Sequence, residues 1–417
     1  MLERSQISFD EVFSPLSRYE HIGIGVSGGA DSLALMLMVA KWADVQNRPP
    51  KITIYCVNHG FRKEAKNECK FVKSQAKKLG LKTKILNWVG KKPKSAKQQK
   101  ARNARYSLIG NHMGKNGVQI LLTAHHALDQ AETIMMRMAN GSGILGLGGM
   151  SEFSQVAGIK IFRPLLHISP NILANIVKEA NIEPVLDPSN IDENYERIRW
   201  RKILPSLFNL GLDEKRFQKL SIRLKRADLA LAQIANEIFE QKVKIDGFGI
   251  ASISELDIQS QPEEIQLRLL QIILKKIGNS KKPHALNQVE NLLNIMSEQD
   301  EFQKQTLHSC VIEKKTEIFF FFREFSKISQ KSQKIKSEDE IIWDNRFVIK
   351  NTSKTKDFEI SSAGKLKKKD FEKLLNSKYL KKTTQMQTAP LARDQNNNII
   401  MLGTFAFNDE ISSKTLK

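Results

Sequence analysis

Hydrophobic positions in the first half of the chain form short runs that alternate with longer stretches of helical spacing. Short apolar runs separated by helical patterns are typical of an α/β fold with a parallel sheet. The predicted strands are residues 21–26, 52–57, 83–87 and 119–123. Because ligands of such sheets bind at the carboxyl ends of the strands, we expect the functional residues there.

The second half of the chain has a different pattern. Helical periodicity over residues 212–239 and 262–295 predicts a helical domain, and the apolar residues 318–322 predict a buried strand. Lysine and serine enrichment then indicates a linker, and short apolar runs after it predict a small α+β domain. The predicted organisation is a parallel-sheet domain over residues 1–210, a helical domain over 211–325, a linker over 326–339 and an α+β domain over 340–417.

The first predicted strand runs into a glycine-rich turn at residues 25–32. Gly28 and Gly29 permit backbone conformations that bring N–H groups close to a phosphate, and the helix that follows adds partial positive charge. The lysine of a Walker A loop is missing, which excludes a P-loop of the kinase kind. Asp31 stands there instead, and a carboxylate beside phosphates indicates Mg²⁺. A plain glycine turn with Asp31 as a helix cap is the alternative.

The fourth predicted strand leads into the segment HHALDQAET, residues 125–133. On a helix that starts there, His125, Asp129 and Glu132 are spaced i, i+4 and i+7 and share one face. An imidazole with two carboxylates suits metal binding, ammonium binding or proton transfer. A solvated polar helix face is the alternative.

Two later segments also suit contact with a ligand. Residues 141–150 hold five glycines, which indicates a loop that approaches a partner closely, and its apolar side chains either wedge a base or bury the loop. Arginines around Tyr195 and Trp200 indicate a surface for phosphates and bases, with a salt-bridged helix as an equal alternative. These arginines are Arg197, Arg199 and Arg201.

Composition favours a nucleic-acid partner and a cytoplasmic location. The chain carries 66 basic and 45 acidic residues, a net charge of +21, although a lysine-rich proteome is an alternative cause. The three cysteines form no CxxC pair, which excludes a four-cysteine zinc site and gives no disulfide framework. No apolar stretch approaches the roughly 20 residues of a membrane helix, and residues 1–4 lack a signal-peptide core, so we expect no membrane partner.

Seven segments together resemble one family. They are, in order, SGGADS, VNHGFR, KARNARY, HHALDQAET, GSGILGLGGM, RPLL and DPSN with its trailing arginines. Over about residues 20–205 the chain resembles the tRNA(Ile)-lysidine synthetases, which are PP-loop (N-type) ATP pyrophosphatases. The resemblance implies a ligase that adenylates the C2 oxygen of the wobble cytidine in the CAU anticodon of tRNA(Ile). The ε-amine of free L-lysine then displaces AMP to give lysidine, which changes decoding from AUG to AUA.

The resemblance also implies site residues, with ATP and Mg²⁺ as cofactors. Arg105 matches the family's arginine at the α-phosphate, with Arg102 one helical turn away as the alternative. Asp129 and Glu132 match the acidic pair that binds lysine, in an order that stays open, and His125 assists proton transfer. The implied ATP-binding residues are Ser27, Gly28, Gly29, Ala30, Asp31 and Ser32, with Asp31 as the metal ligand.

In the same way, the resemblance implies that the helical and C-terminal domains bind tRNA. The C-terminal domain has a dense lysine cluster, for which a solvated face is the alternative; its central members are Lys367, Lys368 and Lys369. The oligomeric state stays open, a homodimer included. The rival functions are a tRNA thiolase, disfavoured by the lack of paired cysteines, and a non-catalytic RNA-binding protein, disfavoured by the intact SGGADS segment, Arg105, Asp129 and Glu132.

Overall fold

In the computed structural model the chain divides into two compact units, residues 1–227 and 228–417. The division falls within a long helix, Glu214–Lys242. No helix in the described part of the chain is long and apolar enough to cross a membrane. The structure describes residues 8–60, 64–90, 97–185, 192–279, 285–298, 302–328, 332–366, 368–374 and 384–416.

The first unit contains a six-stranded sheet. Its strands are β1 (His21–Gly25), β2 (Lys51–Asn58), β3 (Lys82–Asn87), β4 (Ile120–Leu122), β5 (Phe153–Val156) and β6 (Ile159–Phe162). The order is β3-β2-β1-β4-β6-β5, and every neighbouring pair is parallel except β5 with β6. All four predicted strands are confirmed. The apolar residues of the central strands β1 and β4, such as Ile22 and Ile24, are fully buried, as expected for strands covered on both faces.

The first unit also contains helices, the last of which continues into the second unit. They are α1 (Phe9–Phe13), α2 (Ala30–Asp44), α3 (Ala65–Lys78), α4 (Lys97–Asn116), α5 (Ala127–Ala139), α6 (Ile144–Leu147), α7 (Pro170–Glu179), α8 (Glu196–Asn209) and α9 (Glu214–Lys242). Helix α2 is apolar on nearly all sides because it lies in the main core and also contacts α1 and α7. The strand order reverses between β1 and β4, so we expect the ligand crevice at the carboxyl ends of these two strands.

The second unit begins with a five-stranded antiparallel sheet in the order β7-β8-β11-β10-β9. Its strands are β7 (Lys244–Ile245), β8 (Ala251–Ser254), β9 (Gln305–Leu307), β10 (Cys310–Lys315) and β11 (Ile318–Arg323). The helices α10 (Glu255–Gln259), α11 (Glu263–Gly278) and α12 (Leu286–Glu298) accompany it, and α9, α11 and α12 share its core. The predicted strand at 318–322 is confirmed. The predicted helical domain therefore also contains a sheet, whose strands of two to six residues are too short to show a clear alternation.

Two more antiparallel sheets follow, ordered β12-β15-β16-β17-β18 and β13-β14-β19. Their elements are β12 (Ser332–Ile335), β13 (Glu340–Trp343), β14 (Phe347–Asn351), β15 (Phe358–Ser362), helix α13 (Lys368–Leu374), β16 (Pro390–Arg393), β17 (Ile399–Leu402), β18 (Phe405–Ala406) and β19 (Ile411–Thr415). Strand β12 lies inside the predicted linker, and its Ile335 is fully buried. Phe248 and Phe322 share a buried cluster with Met386 and Leu391 from beyond that linker. The division into three domains stays a prediction.

Candidate active site

The phosphate turn, residues 25–32, joins β1 to α2 at the crevice. Gly28 has a φ of +96°, a conformation that favours glycine. The backbone N–H of Ser27 donates to Ser32 Oγ at 3.1 Å, and Ser32 Oγ donates to the Gly29 carbonyl at 3.0 Å. No side chain caps the start of α2, which suits the binding of a phosphate at its first-turn N–H groups.

Replacing Gly28 with alanine should raise the KM for ATP about tenfold or more. An alanine at this φ would have a strained backbone conformation. Its Cβ would lie 3.2 Å from Val185 Cγ2, so the turn would have to move. Steady-state pyrophosphate release measures this KM. The matched control is Gly80→Ala, which has a φ of +68° and nothing within 4 Å of the added Cβ, after the end of α3. Equal KM values for the two variants would contradict the role given to the turn.

Asp31 stands in the first turn of α2, and its side chain is 44% exposed. The buried His126 lies between two carboxylates, with Nε2 3.5 Å from Asp31 Oδ2 and 3.5 Å from Asp129 Oδ2. Burial alone would lower the pKa of His126, but the bond to Asp31 and the charge of Asp129 raise it above its ordinary value. His126 thus connects the phosphate turn to α5.

His126 also sets where α5 begins. The backbone N–H of Asp129 donates to His126 Nδ1 at 3.4 Å, and the backbone N–H of His126 donates to Asp129 Oδ2 at 3.0 Å. This reciprocal capping box fixes Ala127 as the first helical residue. His126 was not among the site residues predicted from the sequence. The signal that points to it is an aspartate three residues after a polar residue at the end of a strand.

His125 lies outside α5, which corrects the prediction that it shares a helix face with Asp129 and Glu132. The capping box leaves it in the segment before the helix, where its Nδ1 lies 2.9 Å from Thr123 Oγ1. Burial, opposed by the charge of Asp129, lowers the pKa of His125 to about 3. Its imidazole is therefore neutral at neutral pH.

Glu132 is fully buried, and two arginines of α8 bind its two carboxylate oxygens. Arg197 Nε donates to Oε2, and Arg201 Nε donates to Oε1 at 2.6 Å. Arg197 also places a guanidinium nitrogen 3.2 Å from Asp129 Oδ1. Burial would raise the pKa of Asp129, but His126 and Arg197 hold it below its ordinary value. We call these four residues, Asp129, Glu132, Arg197 and Arg201, the acid–arginine network.

Comparison with known proteins identifies the family. Residues 1–207 match the model of the PP-loop domain. A tRNA(Ile)-lysidine synthase from Wolbachia sp. subsp. Brugia malayi is 34% identical over 81% of this chain and 79% of its own length. The chain belongs to the tRNA(Ile)-lysidine synthase family. The synthase of Bradyrhizobium diazoefficiens is 36% identical over 68% of this chain and 80% of its own length.

The fold of this family member also has neighbours among solved structures. The U34-tRNA thiolase NcsA from Methanococcus maripaludis, solved with its [4Fe-4S] cluster, has a TM-score of 0.45 and 16% identity over 52% of this chain and 77% of that one.

Two arginines of α4 are candidates for the α-phosphate in this lysidine synthase homologue. The guanidinium carbon of Arg102 lies 5.2 Å from the ring centroid of the buried Tyr106, and its charge helps to lower the pKa of His125. Arg105 is exposed. The hydrogen bond with Cys69 and burial raise the pKa of the Cys56 thiol of β2, and the positive charge of Arg105 opposes this rise. The choice between them stays a prediction.

The residues predicted to bind tRNA separate into two groups in this family member. Arg197 and Arg201 belong to the acid–arginine network, whereas the exposed Arg199 donates to the Glu193 carbonyl at 3.1 Å. Arg197 and Arg201 are four residues apart in helix α8 and therefore lie on the same face. Arg199 is two residues from each of them and lies on another face. Lys369 is exposed. Residues 61–63, 186–191 and 367, and the side chain of Lys368, lie outside the described part of the chain. All six tRNA assignments stay predictions.

Proposed function

We propose that the chain is an ATP-dependent ligase that converts the wobble cytidine of a CAU-anticodon tRNA(Ile) to lysidine, with release of AMP and pyrophosphate. The observation that supports this proposal most directly is that His126 lies between the phosphate turn and the acid–arginine network, so that both face one crevice. The phosphate turn suits ATP, and the acid–arginine network suits a cationic substrate. The similarity to tRNA(Ile)-lysidine synthases over most of the chain supports the same activity.

In the first step, the cytosine C2 oxygen attacks the α-phosphate and pyrophosphate leaves. The N–H groups of residues 27–32 hold the leaving phosphates, and Arg105, or Arg102 beside it, faces the charge that develops at the α-phosphate. Asp31 suits Mg²⁺, which binds through one or two carboxylates together with substrate phosphates. Among the described residues no cluster of three or more His, Cys, Asp or Glu could hold a metal, so the phosphates would have to complete this site. Bound Mg²⁺ neutralises phosphate charge.

In the second step, the unprotonated ε-amine of lysine attacks C2 and AMP leaves. Asp129, whose side chain is 13% exposed, is the carboxylate that contacts an ammonium group of lysine. Glu132 is fully buried between Arg197 and Arg201, so it acts by holding these arginines around Asp129. His125 is neutral because its pKa lies at about 3, and it contributes a hydrogen bond to the amine rather than a stored proton.

The test is lysine transfer to RNA. Purified protein is incubated with ATP, Mg²⁺, labelled L-lysine and a transcript of the CAU-anticodon tRNA(Ile). We expect ATP-dependent label in the RNA, and the matched control transcript with uridine at the wobble position should remain unlabelled. Release of pyrophosphate that depends on tRNA, without lysine in the RNA, would contradict lysidine formation and would point to another nucleophile.

The C-terminal lysines should contribute to tRNA affinity through charge. Replacing Lys367, Lys368 and Lys369 with glutamine should reduce the slope of log Kd against log salt by about 2–3, because each contacted phosphate releases condensed counterions. Filter binding at several salt concentrations measures the slope. The control replaces the same three lysines with arginine, which keeps the charge. An unchanged slope in the glutamine variant would mean that these lysines are only solvated.

A further inference from the structure

The glycine segment, residues 141–150, has no part in the two steps above. It follows α5, the helix that carries Asp129 and Glu132, and it contains the short helix α6. Side chains from α5 and α9 bind its backbone at several consecutive positions. The described contacts come from Gln130, Arg137, Ser221 and Lys225.

Gln130 is the centre of these contacts. It is buried, and its amide pairs with the backbone of Met150: the Met150 N–H donates to Oε1 at 2.7 Å and Nε2 donates to the Met150 carbonyl at 3.0 Å. Gln130 Nε2 also lies 3.1 Å from Ser221 Oγ, which donates to the Gly148 carbonyl at 2.6 Å. Because Gln130 follows Asp129 directly, the same turn of α5 positions the acidic residue and the glycine segment.

The glycines make this close approach possible. Gly149 has a φ of +69°, and a Cβ there would lie 2.7 Å from Gln130 Oε1. A Cβ on Gly148 would lie 3.2 Å from Lys225 Cγ. Any side chain at Gly149 would therefore separate the segment from the glutamine that binds it. The glycines at positions 148 and 149 are therefore explained by contact with α9 and α5, which fixes this end of the segment.

Two cations complete the attachment. Arg137 donates to the carbonyls of Gly146 and Gly149 at 2.6 and 2.7 Å, and Lys225 Nζ lies 2.6 Å from the Met150 carbonyl. Arg163 adds a third positive charge near Lys225, against the carboxylate of Glu152, so the surroundings are positive on balance and favour an anionic partner such as RNA.

Leu145 stands at the outer side of this fixed segment, with 71% of its surface exposed. Holding the backbone in place in advance lowers the entropy cost of a contact made by its side chain. An apolar side chain in basic surroundings suits the face of an unpaired nucleobase, which presents an apolar surface beside charged phosphates. Anticodon-loop bases are of this kind.

We propose that Leu145 packs against an unpaired base of the tRNA anticodon loop, and that Gln130 is a positioning residue that holds the glycine segment for this contact. The inference rests on the proposed function, because it takes the RNA substrate from it. It adds an RNA-contacting residue to the site.

The first test measures steady-state kinetics with an anticodon stem-loop RNA. Leu145→Ala should raise the KM for the RNA about tenfold, the loss expected for removing most of a buried leucine contact, with the KM for ATP unchanged. The matched control is Leu256→Ala on α10 of the second unit, where the leucine is 75% exposed, and it should behave as wild type. A wild-type KM for RNA in Leu145→Ala would overturn the proposal.

The second test asks whether Gln130 acts through Leu145. Gln130→Ala should raise the KM for RNA, and adding Leu145→Ala to it should change this KM less than twofold further, because the contact is already lost. Fully additive effects would overturn the positioning role. If Gln130→Ala does not fold, Ser221→Ala replaces it in the same cycle. Direct RNA binding separates this proposal from the proposed function: weaker RNA binding by Leu145→Ala in a protein that forms no lysidine would contradict only the function.

Discussion

An Asp31→Asn variant should release pyrophosphate at least about a thousandfold more slowly than wild type when ATP and tRNA are both present. The replacement keeps the size of the side chain but removes the charge that suits Mg²⁺ at the phosphate turn. Without it, the negative charge of the departing pyrophosphate is poorly neutralised. Affinity for tRNA should stay within a few fold of wild type, because a single carboxylate at the nucleotide contributes little RNA contact.

The measurement is tRNA-dependent pyrophosphate release under saturating substrates, with tRNA binding measured separately. Asp44→Asn is the matched control, since Asp44 is an exposed aspartate that ends the same helix, α2. It should retain the wild-type rate. Turnover of Asp31→Asn at the wild-type rate would exclude Asp31 from the chemistry and, with it, the assignment of Mg²⁺ to this turn.

The parallel-sheet half of the chain could be predicted from sequence because its central strands are buried on both faces. Such strands appear as nearly continuous apolar runs, as at Ile22 and Ile24, and the residues that carry chemistry follow directly after them. The phosphate turn and the segment after β4 were found in this way. The order of the strands brings them to one crevice.

The contacts across the crevice could not be predicted in the same way. Spacing along a helix indicates which residues share a face, but Arg197 and Glu132 meet only because α8 packs against α5. The sequence left a phosphate-binding surface and a salt-bridged helix as equal interpretations of these arginines. Local spacing also extended the helix back to His125, because it gave no weight to the capping box at His126.

The antiparallel sheets show a different limit. Strand β12 has three polar residues and a single buried apolar one, Ile335, so its composition resembles that of a linker. Strand β7 has only two residues. Period-two alternation needs about four to eight residues to be distinguished from chance, whereas the long periodic helices α9 and α11 dominate the pattern around these strands.

A Glu132→Ala variant should lose about 1–3 kcal/mol in the free energy of unfolding, because the arginines left behind are partly exposed to water, and it should also raise the KM for lysine more than the KM for ATP. Removing this buried carboxylate leaves Arg201 without its 2.6 Å partner and frees Arg197 from one of its two acidic partners. Both guanidinium groups already lie within 4 Å of Asp129 Oδ1, and without Glu132 they would compete with lysine for Asp129 more strongly. Chemical denaturation and steady-state kinetics with varied lysine or ATP measure the two effects.

A control ion pair elsewhere in the chain distinguishes a general loss of stability from a specific loss of the lysine site. In the second unit, Arg268 Nη2 lies 2.8 Å from Asp228 Oδ1. The Asp228→Ala variant therefore breaks another ion pair, one that is largely buried. It should reduce stability without changing the KM for lysine. If both variants raised this KM equally, the effect of Glu132 on lysine would be an unspecific consequence of destabilisation.

The double variant Glu132→Leu with Arg201→Leu tests how Glu132 acts. Replacing both members of an ion pair with apolar residues is often neutral for stability, and Arg197 keeps its contact with Asp129, so this variant should recover part of the free energy that Glu132→Ala loses. If Glu132 acts by restraining arginines around Asp129, removing Arg201 should also bring the KM for lysine part of the way back. A KM that stays as high as in Glu132→Ala, in a protein of restored stability, would instead mean that the Glu132 carboxylate itself binds lysine.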